Sequence, residues 1–424
     1  MAVSRIVELS GRIAQNTAIV NEFLNANGLS QPTFDADGPL TSLIPSTEPA
    51  VSTARQMVIS DCQELRQLIL GPTEHLISFR HNELLSQHVI IRFRIAQAVP
   101  IDGDMTFAEL VTASGLHEVH IRKLLRHAMS QRIFCEPRPG VVAHTAASRV
   151  LVEDSGLFNW LRFSTDDLWR AACFTGDAMT RAPGSEEPHE TGFALANGTD
   201  KNMFEFFSEH PERSKRFADA MRFFTERPGL EPHHVAENYD WSSLPEDALV
   251  VDVGGSHGLI CIELARRFPQ MHFVIQDLDE PVIKDAEAQC PEDLRNRVKY
   301  MVHDFLSQQP IHNADAYFFR AVLHNWSDTY AVKILRNLIP ALKIGAKIII
   351  NDTVVPQSDQ VPPMMANSLR ANDLVMLELQ NAGDREMTEW AALFARAHAG
   401  FHFQGGKKCL NSPLWILQVE WKGE

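Results

Sequence analysis

At 424 residues the chain is about two to three times a common domain length, so two domains are the first expectation. With 45% hydrophobic and 22% charged residues it can bury ordinary cores, and its formal net charge of −15 works against broad contact with nucleic acid or an anionic membrane. Six scattered cysteines (Cys62, Cys135, Cys173, Cys261, Cys290, Cys409) form no Cys-x-x-Cys pair, which signals neither a zinc site nor a disulfide framework and points to a reducing compartment.

The first thirty residues are interrupted by Arg5, Glu8, Arg12, Gln15 and Glu22, unlike a signal peptide, and no run approaches the roughly 18 apolar residues of a membrane span. A cytoplasmic address is expected. A helix is expected over about 5 to 27, with Ile6, Val7, Leu9, Ile13, Val20, Phe23 and Leu24 giving it an apolar face that a two-fold dimer would bury. Pro32, Gly38, Pro39, Pro45 and Pro49 then mark a loose connection before helical patterning resumes at Ala54.

From Ile90 to Ala98 another helix is expected, closed by Pro100. Thr106 caps a segment from Phe107 to Ala113, Gly115 turns the chain, and Val119, Leu124, Leu125 and Ala128 line a second helix. Strands over Ile133–Glu136 and Val141–His144, joined at Pro139-Gly140, complete a winged-helix pattern. Arg122, Lys123 and Arg126 on its second helix raise DNA binding, but three basic residues in so acidic a chain are better read as a solvated face.

Between about 155 and 240 the pattern is helical and aromatic-rich, with Arg181 to Gly192 reading as an exposed loop; most of the aromatics are expected in the core, a minority lining a pocket for a flat substrate. After Trp241 strands alternate with helices, as in a doubly wound α/β sheet. Strands are expected near 249–253, 272–276, 298–302, 315–321 and 346–351, and helices near 257–268, 281–289, 328–342, 367–379 and 388–399, with a closing strand pair at 400–404 and 414–421. The expected division is therefore 1–240, helical and winged-helix, and 241–424, Rossmann-like.

The first strand breaks into Gly254-Gly255-Ser256-His257-Gly258, a turn that lets backbone N–H groups approach a ligand. The next ends at Asp277, 23 positions after Gly254, where an acid meets ribose hydroxyls. Asp304, His324 and Asp352 follow the later strands, so five strand ends deliver a glycine turn or an ionisable group to one edge of the sheet.

With Phe318-Phe319-Arg320-Ala321-Val322-Leu323-His324-Asn325-Trp326-Ser327-Asp328 in place, the chain resembles the plant and fungal S-adenosylmethionine-dependent O-methyltransferases of the caffeic acid O-methyltransferase type, over nearly its whole length. The resemblance implies a dimerisation region in the first half and a methyltransferase domain in the second. It implies S-adenosyl-L-methionine held by Gly254, Gly255, Gly258, Asp277, Leu278, Asp304 and Phe305, with Arg320 near the cofactor where plant relatives commonly carry lysine. His324 matches the family's general base, Asp352 and Glu386 its two orienting acids, and Phe217 and Met221 its substrate contacts. His257 in the turn and Asp352 in place of a longer glutamate depart from the pattern.

An O-methyltransferase acting on a phenolic or enolic hydroxyl of an aromatic secondary metabolite is the leading expectation, working as a homodimer on a small molecule. The alternatives are a pericyclase or dehydratase that holds the cofactor without transferring its methyl group, and a non-catalytic regulator using the winged helix. No metal is expected, because the sulfonium charge removes the need for a Lewis acid.

Overall fold

The computed structural model describes residues 4–45, 48–356, 361 and 363–423. Two compact units are present: Met1–Arg170 with Phe207–Phe224 and Pro362–Met365, and Ala171–Phe206 with Thr225–Val361 and Ala366–Glu424. No helix among the described residues is long and apolar enough to cross a membrane.

In the first unit, helix Arg5–Ala26 packs on helix Pro49–Ile77 and buries Leu9 and Leu24. Residues 46 and 47 of the expected loose connection lie outside the described residues. Gly71 adopts φ 70°, ψ 170° and breaks the second helix just before Pro72, whose missing N–H could not continue it. Thr106 caps helix Phe107–Ser114 as expected: Glu109 N–H donates to its hydroxyl at 3.2 Å, while Thr106 N–H donates to the Glu109 carboxylate at 2.7 Å. Gly115, at φ 70°, ends that helix and leads to helix Glu118–Ser130, which buries Ile121, Leu125 and Ala128.

The expected strand over Ile133–Glu136 shrinks to one bridge, Cys135 to Ala143, because Arg132 and Phe134 both sit at φ 65° and break the extended run. Strand β2 (Val141–Ala143) pairs instead with β1 (Asp104–Thr106), an element that lacks the length to show as periodicity. Two of the three basic residues on the second helix are occupied: Arg122 pairs with Glu118, and Arg126 makes two bonds of 3.0 Å to Glu136. Further on, Asp167 is buried and paired with Arg213 and Arg216, an ion cluster inside a segment whose sequence advertises only aromatics.

The second unit is built on a seven-stranded sheet ordered β5-β4-β3-β6-β7-β9-β8. Its strands are β3 (Leu249–Val253), β4 (His272–Asp277), β5 (Val298–Val302), β6 (Ala316–Arg320), β7 (Lys347–Asp352), β8 (Phe401–Lys408) and β9 (Trp415–Trp421). The first five are parallel, and β9 runs antiparallel to both β7 and β8. Near-continuous apolar runs suit strands covered on both faces. Phe318 and Ile349 enter one core with Leu264 and Phe273, while Phe319 and Ile350 enter the other with Trp390 and Leu393.

The chain winds outward from β3 through β4 and β5, then returns to place β6 on the other side of β3. That reversal opens a crevice beyond the carboxyl end of β3, where ligands bind in such sheets.

The compact units depart from the expected boundary at 240/241, since Ala171–Phe206 and Thr225–Tyr239 pack with the sheet. Arg181 to Gly192, read as an exposed loop, is tied down by residues distant in sequence. Ser327 Oγ donates to Glu186 O at 2.9 Å, Tyr330 OH to the Glu187 carboxylate at 2.7 Å, and Asn381 Nδ2 to Glu187 O and Glu190 O at 2.9 and 3.1 Å. Polar composition alone carries no sign of such partners.

Candidate active site

The turn after β3 is built by backbone strain that its sequence tolerates. Gly254 and Gly258 take φ 76° and 71°, and Ser256 takes φ 50°. Gly254 N and Gly255 N both donate to Gln276 O, at 2.8 and 2.9 Å, which fixes the turn against β4. A Cβ at Gly255 would lie 2.5 Å from the Asp252 carboxylate, and one at Gly254 would lie 2.9 Å from Val322. The turn thus packs directly beside the segment that carries His324.

Asp277 closes β4. Its Oδ2 accepts Ser256 N at 3.0 Å and its Oδ1 accepts Asp279 N at 3.2 Å, while burial raises its pKa. His303 N donates to Asp277 O at 2.9 Å, so Asp304 stands one residue beyond this strand end. Asp304 accepts Leu306 N at 2.8 Å. The Phe305 ring meets Trp326 edge-on at 5.7 Å and lies 3.7 Å from where a Gly254 Cβ would be, so it borders the turn. Leu278 is 62% exposed, an apolar surface beside Asp277. Glycines that keep the backbone open, a strand-end acid and flanking apolar side chains fit a nucleoside-bearing cofactor.

Arg320, expected near the cofactor, is half-buried at the end of β6 and donates to Leu230 O. Burial lowers its pKa while Asp252 opposes that shift. Asp252 was not singled out from sequence. It is 2% exposed, accepts from Cys261 Sγ at 3.3 Å, and burial pushes its carboxyl up to about 7.

Downstream of β6 the chain makes one tight turn, Leu323–Asn325, with Leu323 plugged into the core and His324 projecting at 19% exposure. Ala321 is held at φ 51° just before it. His324 Nδ1 lies 3.3 Å from Asp352 Oδ1 at the end of β7 and 3.2 Å from Asp384 Oδ1. Burial acts to lower the His324 pKa, but the two carboxylates outweigh it and hold the imidazole above its ordinary value. Asp352 is fully buried, its own pKa raised by burial against the pull of His324 and a bond from Thr353 N at 2.9 Å.

Glu386, expected as the second acid, does not take that place. Its carboxylate accepts from Arg370 Nη2 at 3.3 Å, and its backbone N–H donates to Glu389 at 2.7 Å at the start of helix Met387–Ala397. The acid on His324 is Asp384, two residues earlier, whose N–H donates to Asp373 Oδ1 at 2.8 Å. No local signal separates the two acids, because glutamate is not among the side chains that favour a helix N-cap and Glu386 three positions before Glu389 does not read as a capping pair.

Donor atoms of His324, Asp352 and Asp384 lie within 4.8 Å of one another, a set with the composition of a divalent-cation site. The spacings of 3.2 and 3.3 Å about one ring nitrogen are also those of carboxylates accepting an imidazole N–H. Phe217 and Met221 lie on helix Pro211–Thr225 in the first unit, the Phe217 ring 5.3 Å from Phe163 and 5.2 Å from Phe207.

Comparison with known proteins gives this geometry a setting. The family profile described as an O-methyltransferase domain matches residues 181–402. O-methyltransferase pyvH of Aspergillus violaceofuscus is 39% identical, covering all of both chains. The chlorophenol O-methyltransferase of Trichoderma longibrachiatum is 34% identical, covering 99% of this chain and 91% of that one. A solved structure titled as a pericyclic reaction enzyme aligns with TM-score 0.71 over 97% of this chain and 99% of that one; at 21% identity the likeness is one of fold.

Proposed function

Because the chain belongs to the O-methyltransferase family, whose cofactor is S-adenosyl-L-methionine, we propose that it methylates a phenolic or enolic hydroxyl of an aromatic secondary metabolite with His324 as general base. The observation that carries the reading is the pair of aspartates on one ring nitrogen of the imidazole, Nδ1. With Nδ1–H directed at carboxylates, Nε2 is left as the proton acceptor, and the cation formed on proton uptake is stabilised.

Bound S-adenosyl-L-methionine supplies an electrophilic methyl group. His324 Nε2 takes the acceptor's hydroxyl proton as the oxygen attacks, which matters because a phenol near pKa 10 is a poor nucleophile while protonated. Asp352 and Asp384 hold the ring in one tautomer. Gly254, Gly255 and Gly258 are proposed to admit the methionine portion, Asp277 to bind the ribose hydroxyls, Leu278, Asp304 and Phe305 to border the adenine, and Arg320 to lie near the cofactor. Phe217 and Met221 are proposed as substrate-ring contacts on family resemblance, and the chlorophenol-methylating relative supports an aromatic hydroxyl as acceptor. The helix-turn-helix of the first unit is read as a winged-helix dimerisation module of a cytoplasmic homodimer.

Incubation with methyl-labelled S-adenosyl-L-methionine and a panel of chlorinated and polycyclic phenols tests the reading: label in the phenol ether supports it. A second reading, a pericyclase or dehydratase, draws on the shared fold of the pericyclic enzyme. Isomerised or dehydrated product without label would favour it.

A further inference from the structure

Arg385 is a charged residue of this region that the chemistry above leaves without a task. It is 5% exposed, and its guanidinium makes three directed bonds: Nη1 to Leu323 O at 2.8 Å, Nη2 to Trp326 O at 2.8 Å, and Nε to Asp328 Oδ1 at 2.9 Å. The first two acceptors stand on either side of His324. The turn that presents the base is therefore closed at both ends by one planar cation.

The same residue reaches the two acids through its backbone. Asp384 precedes it in the chain, and Arg385 O accepts Val355 N at 3.0 Å, pinning the segment that leaves β7 just after Asp352. Three segments that share no sequence proximity, carrying His324, Asp352 and Asp384, thus meet on Arg385.

We propose that Arg385 is a positioning residue that fixes the orientation and tautomer of the His324 ring by clamping its turn and registering it against Asp352 and Asp384; the inference rests on His324 being the base. A buried cation retained for stability alone has an apolar substitute of similar volume, whereas a fork that reaches two carbonyls and a carboxylate has none. Lysine, with one point charge, cannot span these acceptors. The guanidinium also faces the imidazole electrostatically, opposing the rise that Asp352 and Asp384 impose on it.

The test uses full-length protein with S-adenosylhomocysteine and nitrogen-15-labelled histidine, read by NMR, alongside transfer to the phenol panel. Wild-type His324 is expected as the Nδ1–H tautomer. Arg385→Lys is expected to give a tautomer mixture and a kcat lower by about 100-fold, the scale of a small misplacement, with the KM for cofactor unchanged. Arg385→Gln is expected in addition to move the His324 titration to higher pH. Should either variant fail to fold, Asp328→Asn, at a 40% exposed side chain that orients the guanidinium, is expected to show a partial change in the same direction. Folded Arg385→Lys or Asp328→Asn with wild-type tautomer and kcat overturns the proposal. A wild-type enzyme that transfers no methyl group while the variants still alter the His324 tautomer leaves the clamp standing and removes the methyltransferase reading.

Discussion

Asp384 Oδ1 lies 3.2 Å from His324 Nδ1 although 60 positions separate them, and it shares that nitrogen with Asp352 Oδ1 at 3.3 Å. Glu386, whose longer side chain looks better suited to reach a ring, is turned toward Arg370. One ring nitrogen thus faces two buried carboxylates, which meet the imidazole at the same edge.

Replacing these acids should separate their roles. Asp384→Asn is expected to lower kcat by about 100- to 10,000-fold, the range for a misoriented general base. Glu386→Gln should change it by less than about threefold and cost about 0.3–1 kcal/mol of stability, because it removes a negative charge at a helix N-terminus. Steady-state kinetics and thermal melts of both variants check this, and equal losses of kcat would mean that Glu386 also acts on the base.

The pH dependence follows from the raised pKa of His324. A base must be neutral, so the acid limb of kcat/KM is expected above the ordinary histidine value of about 6.5, and Asp352→Asn should move it downward. For stability the sign is reversed: a raised folded pKa adds stability that is complete below the unfolded value and lost as pH rises through the folded one. His324→Gln should therefore cost more stability at pH 5.5 than at pH 9, measured by urea unfolding.

Asp252 gives an independent titration. Burial lifts its carboxyl from 3.8 to about 7, so its contribution to stability declines as pH rises from about 4 to 7 and stays low above that. Asp252→Asn, nearly isosteric and still able to accept from Cys261, should gain in Tm relative to wild type as pH goes from 5 to 8. A constant difference across that range would show that the carboxyl stays ionised throughout.

Helix Pro49–Ile77 presents Leu68, Ile69, Leu76 and Ile77 at 47, 68, 69 and 71% exposure. An apolar stretch of this kind is expected to be covered by a second copy. Light scattering should give about twice the chain mass for the wild type, and Ile69→Glu with Leu76→Glu should halve it; a wild-type monomer would count against the homodimer.

Much of the sheet was legible in the sequence. Val250-Val251-Asp252-Val253 followed by glycines, and Ala316 through Arg320 followed by His324, are local signals whose apolar runs can only be satisfied by burial on both faces. The observed β3, β5 and β6 lie within a residue of the expected limits. Less was legible where pairing is long-range. The run from Ile133 has the composition of a strand, but backbone turns at Arg132 and Phe134 override it. Glu186 and Glu187 look solvated until Ser327, Tyr330 and Asn381 are folded onto them.

The strands along the chain, the glycine turn after β3, and the acid or histidine at the end of each later strand were determined by the sequence itself, because each is a local pattern of an apolar run and the few residues that end it. Which acid faces that histidine, what Arg385 grips, and how the chain divides into compact units were decided only by tertiary structure. Asp384 and Glu386 are chemically similar and two positions apart, so local pattern weighs them almost equally. Only the helix that begins at Met387, and the clamp that joins Leu323, Trp326 and Asp328, fix one carboxylate against the ring and turn the other away.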